Sequence, residues 1–248
     1  MKPVSLDGFR FKQFSIEHRR CAMKVGTDGI LLGSWVPKGA HKRVLDIGTG
    51  SGLLAIMMAQ KTLGSSRILG IDIESNAVEQ AIENGKQCPW PEKLDFQHCA
   101  LQALKGNCLF DVIVSNPPFF SSNKSFSSDH EFDANPMTPQ RRLARHDTAL
   151  TLEELLANVH RLLTIDGLFY CVLAADLQHT YDLVDAAKLF IHKQTTIHSV
   201  AHKPAKRQLL CLGKQIKEIQ RETLVIQTAN GQYTEAYRNL CADYYLNF

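Results

Sequence analysis

The sequence predicts an open, mostly parallel α/β sheet with helices on both faces. Strand-like apolar runs alternate with helical stretches from residue 43 to residue 212, and one of those runs ends in a glycine cluster that opens a helix. No internal repeat breaks the alternation, so one domain over residues 1–248 is expected. The first forty residues are read as an extension at the mouth of the sheet.

Arg43–Ile47 is a short apolar run that stops at glycines, the pattern of a buried strand. Leu53–Gln60 follows as a helix that is apolar all round, suited to packing on a sheet. Arg67–Ile73 reads as the second strand. Ser75 is placed to cap the next helix, whose apolar stripe is Ala77, Val78, Ala81 and Ile82. Leu94–His98 is a weaker strand and Phe110–Ser115 a stronger one. Residues 119–145 turn polar and are long for a connection in a compact domain, which marks functional loops. Beyond them come an amphipathic helix, Leu152–Leu163, with Thr151 as its cap, and a strand, Leu168–Leu173. A helix over Leu177–Phe190 and a late strand, Gln208–Leu212, complete the reading, and the late segments are expected to supply an antiparallel edge strand.

Composition excludes several classes of protein. No unbroken apolar run, Leu53–Ala59 among them, approaches the roughly 18 residues of a membrane span. The opening MKPVSLDGFRFKQF lacks the apolar core of a secretory signal. Seven scattered cysteines contain no CxxC pair, which argues against a disulfide framework or zinc ribbon and for a cytoplasmic setting. The ten histidines show no HExxH or His/Cys ligand spacing, so no metal is expected. The formal net charge of +3 hides an asymmetry. Residues 188–221 hold eight Lys/Arg against one acid, and residues 10–24 hold five against one, on an otherwise mildly acidic chain. Such clusters point to a polyanionic partner. Lys203, Lys206 and Arg207 are the first candidates for phosphate contacts, with Arg141 and Arg142 of the polar loop as further ones.

Two constellations carry chemistry. The first is Asp46-Ile-Gly48-Thr-Gly50-Ser-Gly52, between a strand and a helix. Glycines let a ligand approach the main chain closely. A dinucleotide fingerprint would need a glycine where Leu53 stands. Asp72 closes the second strand, where a carboxylate can accept both hydroxyls of a ribose. Asp46 beneath the loop suits a cationic ligand and repels a pyrophosphate. S-Adenosylmethionine has a ribose, an ammonium and a sulfonium but no phosphate, and is the favoured cofactor. The second constellation is Asn116-Pro117-Pro118-Phe119, directly after the Phe110–Ser115 strand. Open α/β sheets bind ligands beyond the carboxyl ends of their strands, so this loop and the glycine loop share a crevice. An exocyclic amine on a heteroaromatic ring is a poor nucleophile because its lone pair is delocalised. The Asn116 oxygen and the Pro117 carbonyl can each accept one of its N–H groups and stabilise the charge that forms as methyl arrives. Phe119 offers a face for stacking a base.

VLDIGTGSG, the acid-ended second strand and NPPF together resemble a Rossmann-like class I S-adenosylmethionine-dependent methyltransferase acting on a planar amide or exocyclic nitrogen. FKQFSIEHRRCAMKVGTDGILLGSW and YTEAYRNLCADYYL narrow the resemblance to the bacterial tRNA(Val) adenine-37 N6-methyltransferases, nearly end to end. The resemblance implies that Gly48, Gly50 and Gly52 line the cofactor and that Asp72 holds its ribose. It also implies that Lys24 and Thr27 fold over the methionine end and that Asn116–Phe119 grip the target adenine. The implied partner is the anticodon stem-loop of a tRNA, met by a monomer. Many relatives read the cofactor adenine with an Asp after the third strand. Here that stretch is His98-Cys99-Ala100-Leu101, so a main-chain group near Leu101 or a neighbouring side chain must substitute. The alternatives are a ribosomal-RNA guanine N2-methyltransferase, a protein glutamine N5-methyltransferase, and a non-catalytic RNA-binding protein on the same scaffold.

Overall fold

The computed structural model describes residues 8–106, 109–117, 150–175 and 179–246. A hairpin, β1 (Gly8–Arg10) and β2 (Ser15–Glu17), leads into helix α1 (Thr27–Trp35). Strand and helix then alternate: β3 (Arg43–Ile47), α2 (Leu53–Lys61), β4 (Arg67–Asp72), α3 (Ser75–Gln87), β5 (Leu94–His98) and β6 (Phe110–Ser115). The remainder comprises α4 (Leu152–Leu162), β7 (Leu163–Ala174), α5 (Thr180–Ala186), β8 (Phe190–Val200), β9 (Arg207–Gly213), β10 (Gln220–Gln227) and α6 (Glu235–Cys241).

Strands β3 to β10 form one sheet in the order β10-β8-β9-β7-β6-β3-β4-β5. All neighbours are parallel except β9, which runs antiparallel to both β7 and β8. The antiparallel strand expected at an edge is therefore interior, and β10 and β5 are the edges. Strand β9 can enter the middle because β8 precedes it as a long strand and turns straight back onto it. That long strand is absent from the sequence reading, which ran a helix to Phe190. Helix α5 instead ends at Ala186, and Lys188 takes a left-handed φ of 55° that turns the chain into β8.

The strand order brings the carboxyl ends of β3, β4, β5, β6 and β7 to one edge. Val44 of β3 faces Ile68 of β4 and Val112 of β6, so the central strand is buried along almost its whole length. One apolar cluster lies under α1, α2 and α6 and a second under α4, on opposite faces of the sheet. Helix α2 is apolar all round because it has neighbours all round. It contacts β3, β4 and α1, and the Tyr244 hydroxyl donates to the Met57 carbonyl at 3.3 Å. Two lysines are drawn into this core as helix caps. Lys61 Nζ donates to the Val36 carbonyl and, at 2.6 Å, to Ser34 at the end of α1. Lys93 Nζ donates to the Ala59 and Thr62 carbonyls at the end of α2, both at 2.8 Å. Each cation meets the carbonyls that a helix end leaves unpaired.

The caps follow the sequence unevenly. Thr151 caps α4 in a full capping box: its hydroxyl accepts the Glu154 N–H while Glu154 Oε2 accepts the Thr151 N–H. Ser75, by contrast, is the first residue of α3, and Glu74 is the N-cap, without a side-chain hydrogen bond. The two ends of the described chain meet: Phe11 and Phe14 pack edge-on against Tyr244, and Phe9 against Tyr245.

Candidate functional site

Asp46, the fourth residue of β3, has no exposed surface. Its Oδ2 accepts the Thr49 hydroxyl at 2.6 Å and the Ala55 N–H at 3.1 Å, tying the strand, the glycine loop and the start of α2 together. The other oxygen, Oδ1, has no hydrogen-bond partner. Burial pushes the carboxyl up to about 7, against the pull of those two hydrogen bonds. Above it, Gly48 and Gly50 take left-handed φ values of 69° and 54°, and a Cβ on either would meet nothing within 4 Å. Only glycine holds that backbone without strain, and the space it leaves is open. Gly52 differs: a Cβ there would lie 3.2 Å from Ala81 and from Phe96, so it serves the packing of the loop on α3.

Asp72 ends β4 beside this loop. Its Oδ2 accepts the Gly50 N–H at 2.9 Å and its Oδ1 the Glu74 N–H at 3.0 Å. Each oxygen keeps a further lone pair, so the carboxylate is fixed in place and still able to accept two hydroxyls. Ile73, which the sequence reading passed over, follows with 54% of its surface exposed. Its signal was an apolar residue one position beyond a strand-ending acid. The Cys99 N–H donates to the Asp72 carbonyl at 3.0 Å, which sets a single 3-10 turn, Leu101–Ala103, next to this tip. Ala100 leads into the turn and offers no side-chain acceptor.

Asn116 and Pro117 follow β6 at the same edge. The Ser115 hydroxyl donates to the Ile47 carbonyl at 2.9 Å, locking the end of β6 to the end of β3. Helix α1 closes on them from above. A Cβ on Gly29 would lie 3.0 Å from Leu53 Cδ2 and 3.9 Å from Asn116 Nδ2. Thr27 is the exposed first residue of that helix, and Lys24 is exposed in the segment before it. A polar hub holds the N-terminal segment on the loop. Asn84, 1% exposed, accepts the Glu17 N–H at 3.0 Å and donates to the Glu17 and Ser51 carbonyls, both at 2.8 Å. Nothing in the local sequence marked Asn84, because an asparagine within a helix ordinarily faces water. Pro118, Phe119, Arg141 and Arg142 lie outside the described residues.

The basic segment divides in two. Lys203, Lys206 and Arg207 lie at the β8–β9 turn, and the pairing of Arg207 with Ala174 puts that turn at the carboxyl edge, on the side of Asn116. Lys188, Lys193, Lys214, Lys217 and Arg221 lie toward the opposite end, where Lys193 pairs with Glu222 at 2.9 Å and Lys214 donates to the Leu163 carbonyl. Lys203 and Lys206 are exposed, while Arg207 forms an ion pair with Asp28 at the start of α1. The N-terminal cluster is largely spoken for: Arg20 pairs with Glu79 and Glu83, and Lys12 donates to the Ala242 carbonyl. Among the described residues no group of three or more His, Cys, Asp or Glu could hold a metal ion, and no helix is long and apolar enough to cross a membrane.

These residues fit S-adenosylmethionine. Asp72 offers two acceptors for ribose hydroxyls, the open glycines admit a ligand to the main chain, and the unpartnered Asp46 oxygen lies beneath the loop. The Asp72 carboxylate would repel a pyrophosphate. The buried acid also gives a stability prediction. The fold favours protonated Asp46, so the folded chain binds more protons than the unfolded chain between about pH 4 and pH 7. The contribution of this group is full below that window and is lost as pH rises through it. Asp46→Asn, compared with the parent by urea unfolding at pH 4.5 and pH 8, should therefore gain relative stability at the higher pH by roughly 2–4 kcal/mol. A difference independent of pH would mean that Asp46 does not titrate there.

Comparison with known proteins gives a family. A methyltransferase-domain model matches residues 38–230. The chain is 44% identical to the tRNA1(Val) (adenine(37)-N6)-methyltransferase of Pseudoalteromonas atlantica, covering 97% of this chain and 98% of that one. It is 40% identical to the protein of the same name from Aeromonas hydrophila, covering 96% and 97%. Among solved structures, the 16S rRNA N2 G1207 methyltransferase of T. thermophilus shares the fold at a TM-score of 0.52 and 20% identity, over 86% of this chain and 52% of that one. With full-length identity at this level and a methyltransferase domain spanning the sheet, this chain belongs to the tRNA1(Val) (adenine(37)-N6)-methyltransferase family.

Proposed function

We propose that this protein transfers a methyl group from S-adenosylmethionine to the exocyclic N6 of adenine 37 in the anticodon loop of a valine tRNA. The observation that carries the reading is Asn116–Pro117 at the carboxyl end of β6, locked to the strand that feeds the glycine loop, in a chain whose relatives are named for this reaction. When bound, the cofactor supplies an electrophilic methyl on a sulfonium. Everything else falls to the chain. Asp72 holds the ribose, and Gly48 and Gly50 admit the ligand to the loop. Residues 1–40 complete the site, with Lys24 and Thr27 toward the methionine end.

The target amine must be made nucleophilic. The Asn116 oxygen and the Pro117 carbonyl accept its two N–H groups, hold it in place and stabilise the positive charge that forms on nitrogen. Both acceptors directly follow a strand whose end is pinned through Ser115, which supports the reading that they are held in place. Phe119 is assigned the stacking face for the adenine. The same acceptors suit a glutamine amide or a guanine amine, so substrate choice rests on the rest of the surface. Exposed Lys203 and Lys206 on the site's own edge favour a nucleic acid over a protein substrate, which needs no phosphate contacts. Arg207 is assigned a smaller share because Asp28 already offsets its charge.

Asn116→Ala should lower turnover by roughly 10²–10³ while leaving cofactor affinity unchanged, the loss typical of removing one oriented electrostatic partner. Mass spectrometry of the modified tRNA and calorimetry with S-adenosylhomocysteine check the two halves separately, and parental turnover would remove Asn116 from the chemistry. The double variant Lys203→Gln, Lys206→Gln should bind tRNA more weakly and shift the slope of log K against log salt by about 1.4, at about 0.7 per contact with single-stranded RNA. An unchanged slope would make that turn ordinary solvated surface.

A further inference from the structure

We propose that Arg161 is a positioning residue that fixes the turn beside the cofactor's adenine and so sets cofactor affinity; the inference rests on the cofactor reading above. Arg161 lies in the last turn of α4, on the face of the sheet opposite the glycine loop's helix. Its Nη1 donates to the Leu104 carbonyl at 2.6 Å and its Nη2 to the Leu101 carbonyl at 3.4 Å. One guanidinium thus clamps both ends of the 3-10 turn Leu101–Ala103. The clamp is itself held: Arg161 Nη2 donates to Asn158 Oδ1 at 2.8 Å, and Asn158 Nδ2 donates to the Glu154 carbonyl at 2.8 Å. On its other side the turn is tied to the ribose-binding tip, through the Cys99 N–H on the Asp72 carbonyl. The Leu101 side chain, 4% exposed, packs in the same apolar cluster as Leu155 and Val159 of α4.

The turn needs such a clamp in this chain. Ala100 has no side-chain acceptor, and the turn that follows it, Leu101–Ala103, is supported by no strand, so any main-chain atom that reads a base edge there depends on how firmly the turn is held. A main-chain contact discriminates only when the backbone that carries it is fixed before the ligand arrives. Arg161 spans some 60 positions of sequence to provide that fixity, and its rigid planar fork sends a separate nitrogen to each of the two carbonyls. Nothing in the Arg161 geometry touches Asn116 or the target base, so its effect should appear in cofactor binding and not in the chemical step.

The test is calorimetry with S-adenosylhomocysteine and steady-state kinetics on the full chain. Arg161→Met should weaken binding about tenfold or more, the loss of charge-assisted hydrogen bonds. KM for S-adenosylmethionine should rise in parallel while kcat at saturation stays within about threefold of the parent. Arg161→Lys, which keeps the charge but gathers its donors on one nitrogen, should recover part of the affinity, and Asn158→Ala should weaken binding in the same direction by a smaller factor. Thr151→Ala removes the cap of the same helix without touching the turn. It should lower the melting temperature and leave affinity at the parental value. Parental affinity in Arg161→Met overturns the proposal, and so does an equal loss in Thr151→Ala, which would make the effect one of helix stability. Asp72→Ala separates the two readings. If it loses affinity while Arg161→Met does not, only this inference falls; if it binds as the parent does, the cofactor reading falls first.

Discussion

Asp46 accepts the Thr49 hydroxyl and the Ala55 N–H through one oxygen, with no part of the carboxyl in contact with water. That contact decides where the loop between β3 and α2 can go. It draws the head of α2 against the strand and leaves Gly48 and Gly50 arched over open space. Asp72 completes the arch from the side by taking the Gly50 N–H. A buried acid is costly, and its raised pKa measures that cost. Its second oxygen stays unpartnered. A cation bound above the loop would favour the ionised form, which gives the cost a use.

The sheet supplies the rest by topology. Parallel strands deliver their ends to one edge, so Gly48, Asp72, Ala100 and Asn116, at or just past the ends of four different strands, lie along one edge of the sheet. Strand β8 runs the same way as β7, so the basic β8–β9 turn that follows it lies at that same edge. The N-terminal segment closes the crevice. Asn84 fastens it to the loop at Ser51, and the ion pair of Asp28 with Arg207 fastens α1 to the start of β9. The site is therefore a convergence of segments spread from residue 17 to residue 207.

Elements whose causes are local were legible in the sequence. The run into the glycines of residues 48–52, the acid at the end of β4 and the Thr151 cap of α4 could all be read from spacing alone. The alternation of strand and helix gave the parallel part of the sheet. Features set by distant partners were not legible. Strand β8 reads as FIHKQTTIHSV, too polar to look buried, and it is a strand because β9 and β10 pair with it on both sides. Lys61 and Lys93 look like surface lysines until the helix ends they cap are in view. Arg161 and Asn84 belong to the same kind: each acts on residues more than 30 positions away, and no local pattern announces that. The charge count over residues 188–221 treated two ends of the sheet as one patch, because a sum along the chain does not know which way β9 runs.

The claim that joins these observations is that one exocyclic amine of one anticodon-loop adenine is held at Asn116. Purified protein incubated with labelled S-adenosylmethionine tests it on three RNAs: a valine tRNA transcript, the same transcript with guanine in place of adenine 37, and 16S ribosomal RNA. The account predicts label in the first alone, mapped by mass spectrometry to N6 of adenine 37. Equal label in the guanine-substituted transcript, or label only in the ribosomal RNA, would contradict it.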